Sequence, residues 1–137
     1  MSYYPVNILV AEDHIINQKI ILFLLRKAGY DVDIVDNGKE AIDAVLEKRY
    51  DIVFMDVQMP EIDGIEATRI IRELLPVQEQ PTIIALTANE MYEDRIACLN
   101  AGMQGYITKP IQANIIYSVI EKYKKELIDK KKLGLSE

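Results

Sequence analysis

Acids, a hydroxyl and a lysine recur in this chain directly after, or at the close of, short apolar runs. Glu12-Asp13 follow residues 7–11, Asp56 follows 52–55, Thr87 closes 82–87, and Lys109-Pro110 follow 105–108. Each run has the length and composition of a buried strand. If the strands are parallel, their C-terminal ends share one edge of a sheet, and ligands of open α/β folds bind along that edge. Three carboxylates on one rim repel one another, and burial raises their pKa values further. A divalent, oxygen-seeking cation resolves the conflict. Mg²⁺ suits it, because it takes one or two carboxylates and keeps positions for water and a phosphoryl group. Lys109 adds a positive charge opposite that cation, and Thr87 adds a hydroxyl. The set describes a cradle for a phosphoryl group bonded to Asp56.

The elements that must deliver these groups follow from periodicity. Between Asp51 and Gly64 a strand ends in Asp56, then Pro60 and Asp63-Gly64 mark a tight loop before a helical pattern. Residues 15–28 have helical spacing, with Gly29 as the cap and a predicted inward face of Ile16, Ile20, Leu24 and Ala28, widened by Ile21 and Leu25. Residues 31–35 alternate as an edge strand. After the Asn37-Gly38 turn, Ala41, Ile42, Val45 and Leu46 mark one helix face. A third helix is predicted over 65–75, with Ile70, Ile71, Leu74 and Leu75 inward, then a strand over 82–87. A weaker helix covers 92–101, capped by Gly102, and a short strand covers 105–108. The last helix covers 112–130, with Ile115, Val119, Tyr123 and Leu127 on one side and Ile116 and Ile120 beside them; residues 130–137 are expected to fray. Five strands alternating with five helices imply an α/β fold, a doubly wound (βα)5 domain with a parallel sheet and helices on both faces. In the order 2-1-3-4-5 the switch point lies between the strands carrying Asp13 and Asp56.

Size and charge bound the rest. The 137 residues suffice for one domain; half are apolar and 28% charged, as in a soluble globular chain. A net charge of −6 argues against non-specific nucleic-acid binding. The longest strongly apolar run, 20–25, is too short for a membrane span. Residues 1–5 show no secretory signal, and the single Cys98 excludes an internal disulfide, so the cytoplasm is the expected compartment.

With Val10-Ala11-Glu12-Asp13, Met55-Asp56-Val57-Gln58-Met59-Pro60, Asp63-Gly64, Leu86-Thr87-Ala88 and Gly105-Tyr106-Ile107-Thr108-Lys109-Pro110 in order, the chain resembles a response-regulator receiver domain over roughly residues 6–126. Asn17-Gln18 and Ala101-Gly102-Met103 are similar to receivers of hybrid histidine kinases. The resemblance implies one flavodoxin-like receiver domain over 1–137, with 127–137 a helix extension and tail. It implies that Asp56 accepts a phosphoryl group from phosphohistidine, with Lys109 and Thr87 assisting, as one step of a two-component or phosphorelay system. Asp13, Asp56 and the backbone carbonyl of Gln58 would hold Mg²⁺, with Glu12 acting through water. Thr87 and Tyr106 would form the switch to the surface of the fourth helix, fifth strand and fifth helix. The implied partners are a histidine kinase or a histidine phosphotransfer protein, a downstream protein target, and a homodimer formed on phosphorylation; direct nucleic-acid and membrane contacts are not expected. A cis peptide before Pro110 is also implied.

The same acids admit another chemistry, metal-dependent phosphohydrolysis through an aspartyl phosphate on Asp56. Haloacid-dehalogenase-like enzymes need a second acid two residues after the nucleophile, and here that position is Gln58. The expectation is therefore a signalling module rather than an enzyme, with Gln58 and Asn89 tuning the loss of phosphate to water. His14 reads as a solvent-exposed loop residue and Cys98 as a small filler on the fourth helix. The lysines at 122, 124, 125 and 130–132 suit a helix C-terminus.

Overall fold

A computed structural model describes residues 6–88 and 92–132. In chain order the elements are β1 (Ile8–Ala11), α1 (Ile15–Lys27), β2 (Val32–Val35), α2 (Gly38–Glu47), β3 (Ile52–Asp56), α3 (Gly64–Leu74), β4 (Thr82–Thr87), α4 (Tyr92–Ala101), β5 (Gly105–Thr108) and α5 (Ala113–Lys132). A 3-10 turn at Val77–Glu79, not expected from the sequence, links α3 to β4. The strands form one parallel sheet in the order β2-β1-β3-β4-β5. The expectations for Asn89 and for the end of the tail, 133–137, fall outside the described residues.

Strand residues alternate between two cores. Leu9, Ala11, Val53, Met55, Ile83 and Ala85 pack with α2, α3 and α4. Ile8, Val10, Ile52, Phe54, Ile84 and Leu86 pack with α1 and α5. Covered on both faces, these strands are apolar throughout, as central parallel strands must be. The register opposes Ala11 to Met55, Asp56 to Leu86 and Thr87 to Thr108, so the chemically active residues emerge along one edge.

Side chains fix where two helices begin. The Asn37 carbonyl oxygen accepts from Glu40 N at 2.8 Å at the start of α2, and the Asp63 carboxylate accepts from Glu66 N at 2.9 Å at the start of α3. Gly64 is required by proximity: a Cβ there would lie 2.1 Å from the Asp56 carbonyl oxygen. A side chain at this position would push α3 away from the end of β3.

The buried helix faces differ from the expected ones in four places. On α1, Ile21 and Leu25 are buried, whereas Ile16 and Ile20 are 59% and 41% exposed and Ala28 also faces solvent. Ile15 and Phe23 are exposed as well. This helix is apolar nearly all round, so periodicity does not select the stripe that meets the sheet. Leu46 on α2 and Leu74 on α3 are exposed in the last turns of their helices, beyond Val45 and Ile71, the last buried residues of each. On α5 the buried stripe is Ile116, Ile120 and Tyr123, leaving Ile115 in solvent and Val119 and Leu127 half-buried.

Candidate functional site

The C-terminal ends of β1, β3, β4 and β5 converge on a cleft of about 800 Å³. Glu12, Asp13, Asp56, Gln58, Thr87 and Lys109 all line it. Glu12 and Asp56 are buried, Asp13 is exposed, and one carboxylate oxygen from each lies within 4.8 Å of the other two. Lys109 reaches between the buried pair, its Nζ 3.1 Å from Glu12 Oε1 and 3.1 Å from Asp56 Oδ2. Two buried acids thus share one ammonium group.

The electrostatics follow from that count. Burial raises the Asp56 pKa to about 7, the Glu12 carboxylate pushes in the same direction, and Lys109 only partly offsets them. Burial also disfavours the charge on Lys109, but its two acidic neighbours outweigh that, and its pKa lies above the usual value. The remaining Asp56 oxygen, Oδ1, accepts a hydrogen bond from Gln58 N at 3.2 Å. Glu12 Oε1 is buried with the Lys109 ammonium close by but outside hydrogen-bond geometry. The site is short of positive charge. A cluster of hard oxygen donors, two buried and one facing the open side, fits a divalent cation such as Mg²⁺.

Local structure holds each acid in place. Glu12 N donates to Val35 O at 3.0 Å, extending the β1–β2 pairing by one residue. Glu12 Oε2 accepts from His14 N at 3.1 Å, folding the acid back over its own loop. Asp56 is the last residue of β3, and Val57 N donates to Leu86 O on β4. Lys109 N donates to Thr87 O at 2.8 Å, which places the lysine beside the threonine. The Lys109–Pro110 peptide is cis.

Tyr106 lies apart from this cleft. Its side chain is partly exposed on β5, where its hydroxyl accepts from Arg95 Nη1 at 2.8 Å. The Arg95 guanidinium also lies 5.4 Å from its ring centroid. His14 is exposed and Cys98 is buried, as expected. Sequence reasoning overlooked three contributors: Asn17 and Asp63, which line the cleft, and Gln18, whose side-chain amide donates to Glu12 O. Asn17-Gln18 stood out only as a pattern, and nothing in their spacing announced a contact with the acidic loop.

The response regulator receiver domain pattern matches residues 8–121. Hybrid signal transduction histidine kinase B of Dictyostelium discoideum is 42% identical over 128 residues, a stretch covering 85% of this chain but 6% of that protein. Histidine protein kinase 1 of Candida albicans is 41% identical, covering 87% of this chain and 5% of its own length. The chain therefore spans less than a tenth of these relatives. Among solved structures, the receiver domain of sensor histidine kinase PA1611 from Pseudomonas aeruginosa PAO1, with a magnesium ion in its active site cleft, superposes with a TM-score of 0.80 at 38% identity. That alignment covers 88% of this chain and 98% of the other. The receiver domain of Saccharomyces cerevisiae Ssk1, co-crystallised with the histidine phosphotransfer protein Ypd1, superposes with a TM-score of 0.82 at 31% identity, covering 90% and 91%.

Proposed function

Because this chain belongs to the response regulator receiver domain family, we propose that it is a phosphoacceptor in a two-component or phosphorelay system, with Asp56 the residue that carries the phosphoryl group. The observation that carries this reading is the buried Asp56 carboxylate, 3.1 Å from Lys109 Nζ and within 4.8 Å of two further carboxylates on the wall of an open cleft. A carboxylate oxygen of Asp56 attacks phosphorus, the P–N bond of the donor phosphohistidine breaks, and its electron pair returns to an imidazole nitrogen that takes up a proton. Lys109 holds positive charge against the transferring oxygens, and Thr87 donates its hydroxyl to one of them. Asp13, Asp56 and the Gln58 carbonyl would hold Mg²⁺, with Glu12 contributing through water. When bound, the cation supplies the charge that lets Asp56 ionise and that screens the phosphoryl oxygens.

The phosphodonor is a histidine kinase or a histidine phosphotransfer protein. Ile16, Ile20 and Phe23 lie along one side of α1, and all three are exposed. Their i, i+4, i+7 spacing fits packing against helices of a donor domain. Output leaves through α4, β5 and α5, where Ile96, Leu99 and Tyr106 border a groove of about 340 Å³. Thr87 drawn onto the phosphoryl group makes room for Tyr106 to leave Arg95 and turn inward. Loss of phosphate to water, at a rate tuned by Gln58 and Asn89, returns the module to rest. No helix among the described residues is long and apolar enough to cross a membrane, and we place the module in the cytoplasm as a single domain with its core at 6–126.

With Mg²⁺ and acetyl phosphate, the protein gains the mass of one phosphoryl group and Asp56→Asn gains none. Equal labelling of the two by intact-mass spectrometry removes Asp56 as the acceptor.

A further inference from the structure

We propose that Gln18 is a positioning residue for the divalent cation, fixing the Glu12–His14 loop and tying it to α1. The inference rests on the phosphoacceptor reading only for the identity of the cation; its geometric basis is independent. Asp13 is the exposed member of the acidic cluster, so the direction of its carboxylate is set chiefly by its main chain. That main chain is pinned on both sides. Upstream, Glu12 N is bonded to Val35 O; downstream, Gln18 N donates to His14 O at 3.0 Å as the first helical bond. Between these anchors lies the Glu12–Asp13 peptide, whose carbonyl oxygen accepts from Gln18 Nε2 at 2.5 Å. Rotation of this peptide swings Asp13; the Gln18 amide restrains it directly, while the Glu12 carboxylate, accepting from His14 N, holds the next peptide.

The helix start makes this bond more consequential. His14, the residue that precedes α1, makes no side-chain capping bond, unlike Asn37 and Asp63, which cap α2 and α3. The Gln18 bond supplies the missing attachment between helix and loop. Mg²⁺ accepts little deviation from octahedral geometry, and losing the partner that orients a metal ligand weakens affinity by roughly 10–100-fold. Gln18 sits on the same helix as Ile16 and Ile20, so a partner pressing on α1 bears on the loop through this bond.

Isothermal titration of Mg²⁺ into wild type, Gln18→Met and Lys19→Met tests the assignment. Methionine preserves length and helix propensity while removing the donor, and Lys19 is an exposed neighbour. Gln18→Met is expected to weaken Mg²⁺ binding about tenfold, with Lys19→Met unchanged. The acetyl phosphate reaction of Gln18→Met should recover to within about twofold of wild type once Mg²⁺ is saturating, because the reacting groups remain in place. Unaltered Mg²⁺ affinity in Gln18→Met overturns the proposal, even if its urea midpoint falls, since that pattern marks a purely structural bond. A wild type that binds Mg²⁺ yet accepts no phosphoryl group defeats the phosphoacceptor reading and leaves the role of Gln18 standing.

Discussion

Two polar clusters sit inside this molecule, and they are built on opposite terms. At the rim, Glu12 and Asp56 are buried against a single lysine, and Glu12 Oε1 has no hydrogen bond. At the far end of α3, one arginine serves only neutral acceptors among the described residues. Arg72 Nε and Nη2 donate to Gly102 O at 2.9 and 2.7 Å, Nη1 donates to Gln80 Oε1 and Pro81 O, and Nη2 also reaches Gln104 Oε1. Gln80 in turn donates to the carbonyls of Ile71, Arg72 and Leu75, closing the last turn of α3. Gln104 Oε1 also accepts from Ile83 N at 2.8 Å. The first cluster has unmet electrostatic demand and is open to solvent; the second has its demands met from within. Unmet demand on a cleft wall marks where a ligand belongs, and satisfied demand between elements marks scaffold.

The largest effect on stability is expected at the satisfied cluster. Arg72→Ala removes the donors to Gly102, Pro81, Gln80 and Gln104 together and leaves several partly buried acceptors without partners. Destabilisation of about 3 kcal/mol or more is expected, read as a lowered urea midpoint at unchanged slope. A loss below about 1 kcal/mol would place this arginine with ordinary surface cations and erase the contrast.

The two clusters also differed in how far the sequence exposed them. Each rim residue lies at the end of an apolar run, and parallel topology converts that linear position into a shared edge, so Asp56, Thr87 and Lys109 were legible before any coordinates. The Arg72 partners lie 8 to 32 residues away on separate loops, and an arginine on an amphipathic helix carries no sign of them. Strand order and element limits were readable because buried strands and capped helices have strong local signals. The faces of α1 and α5 were not. Their apolar residues occupy more than one stripe, and only packing against the sheet decides whether Ile21 or Ile20 turns inward.

The next effect has the opposite sign and belongs to the rim. Folded Asp56 holds its proton up to a pKa of about 7, against an ordinary value of 3.8. Between those values the folded chain binds more protons than the unfolded one, so this group's contribution is complete below about pH 4 and is lost as pH rises through 7. Without divalent cations, Asp56→Asn is therefore expected to stabilise the protein at pH 7.5, by on the order of 2 kcal/mol. The gain should shrink towards zero at pH 4. Added Mg²⁺ should narrow the gap by stabilising wild type more than the variant. Denaturant titrations across this range decide the matter, and a gain independent of pH would remove buried charge as its cause.

The smallest effect probes the scaffold cluster by adding a charge to it. Gln104→Glu retains an oxygen where Oε1 now accepts from Arg72 Nη2 and Ile83 N, and places a carboxylate beside an existing cation. Charge assistance strengthens both bonds. Desolvation costs little because Gln104 is exposed, although a negative charge just past the end of α4 is mildly unfavourable to the helix dipole. These contributions should nearly cancel, leaving stability within about 0.5 kcal/mol of wild type. At the rim a comparable charge stands among other acids, and there its removal is the stabilising change. Destabilisation of Gln104→Glu beyond about 1 kcal/mol would show that the Arg72 cluster is as sensitive to added negative charge as the cleft. The difference between the two clusters would then lie in burial alone rather than in which charges face each other.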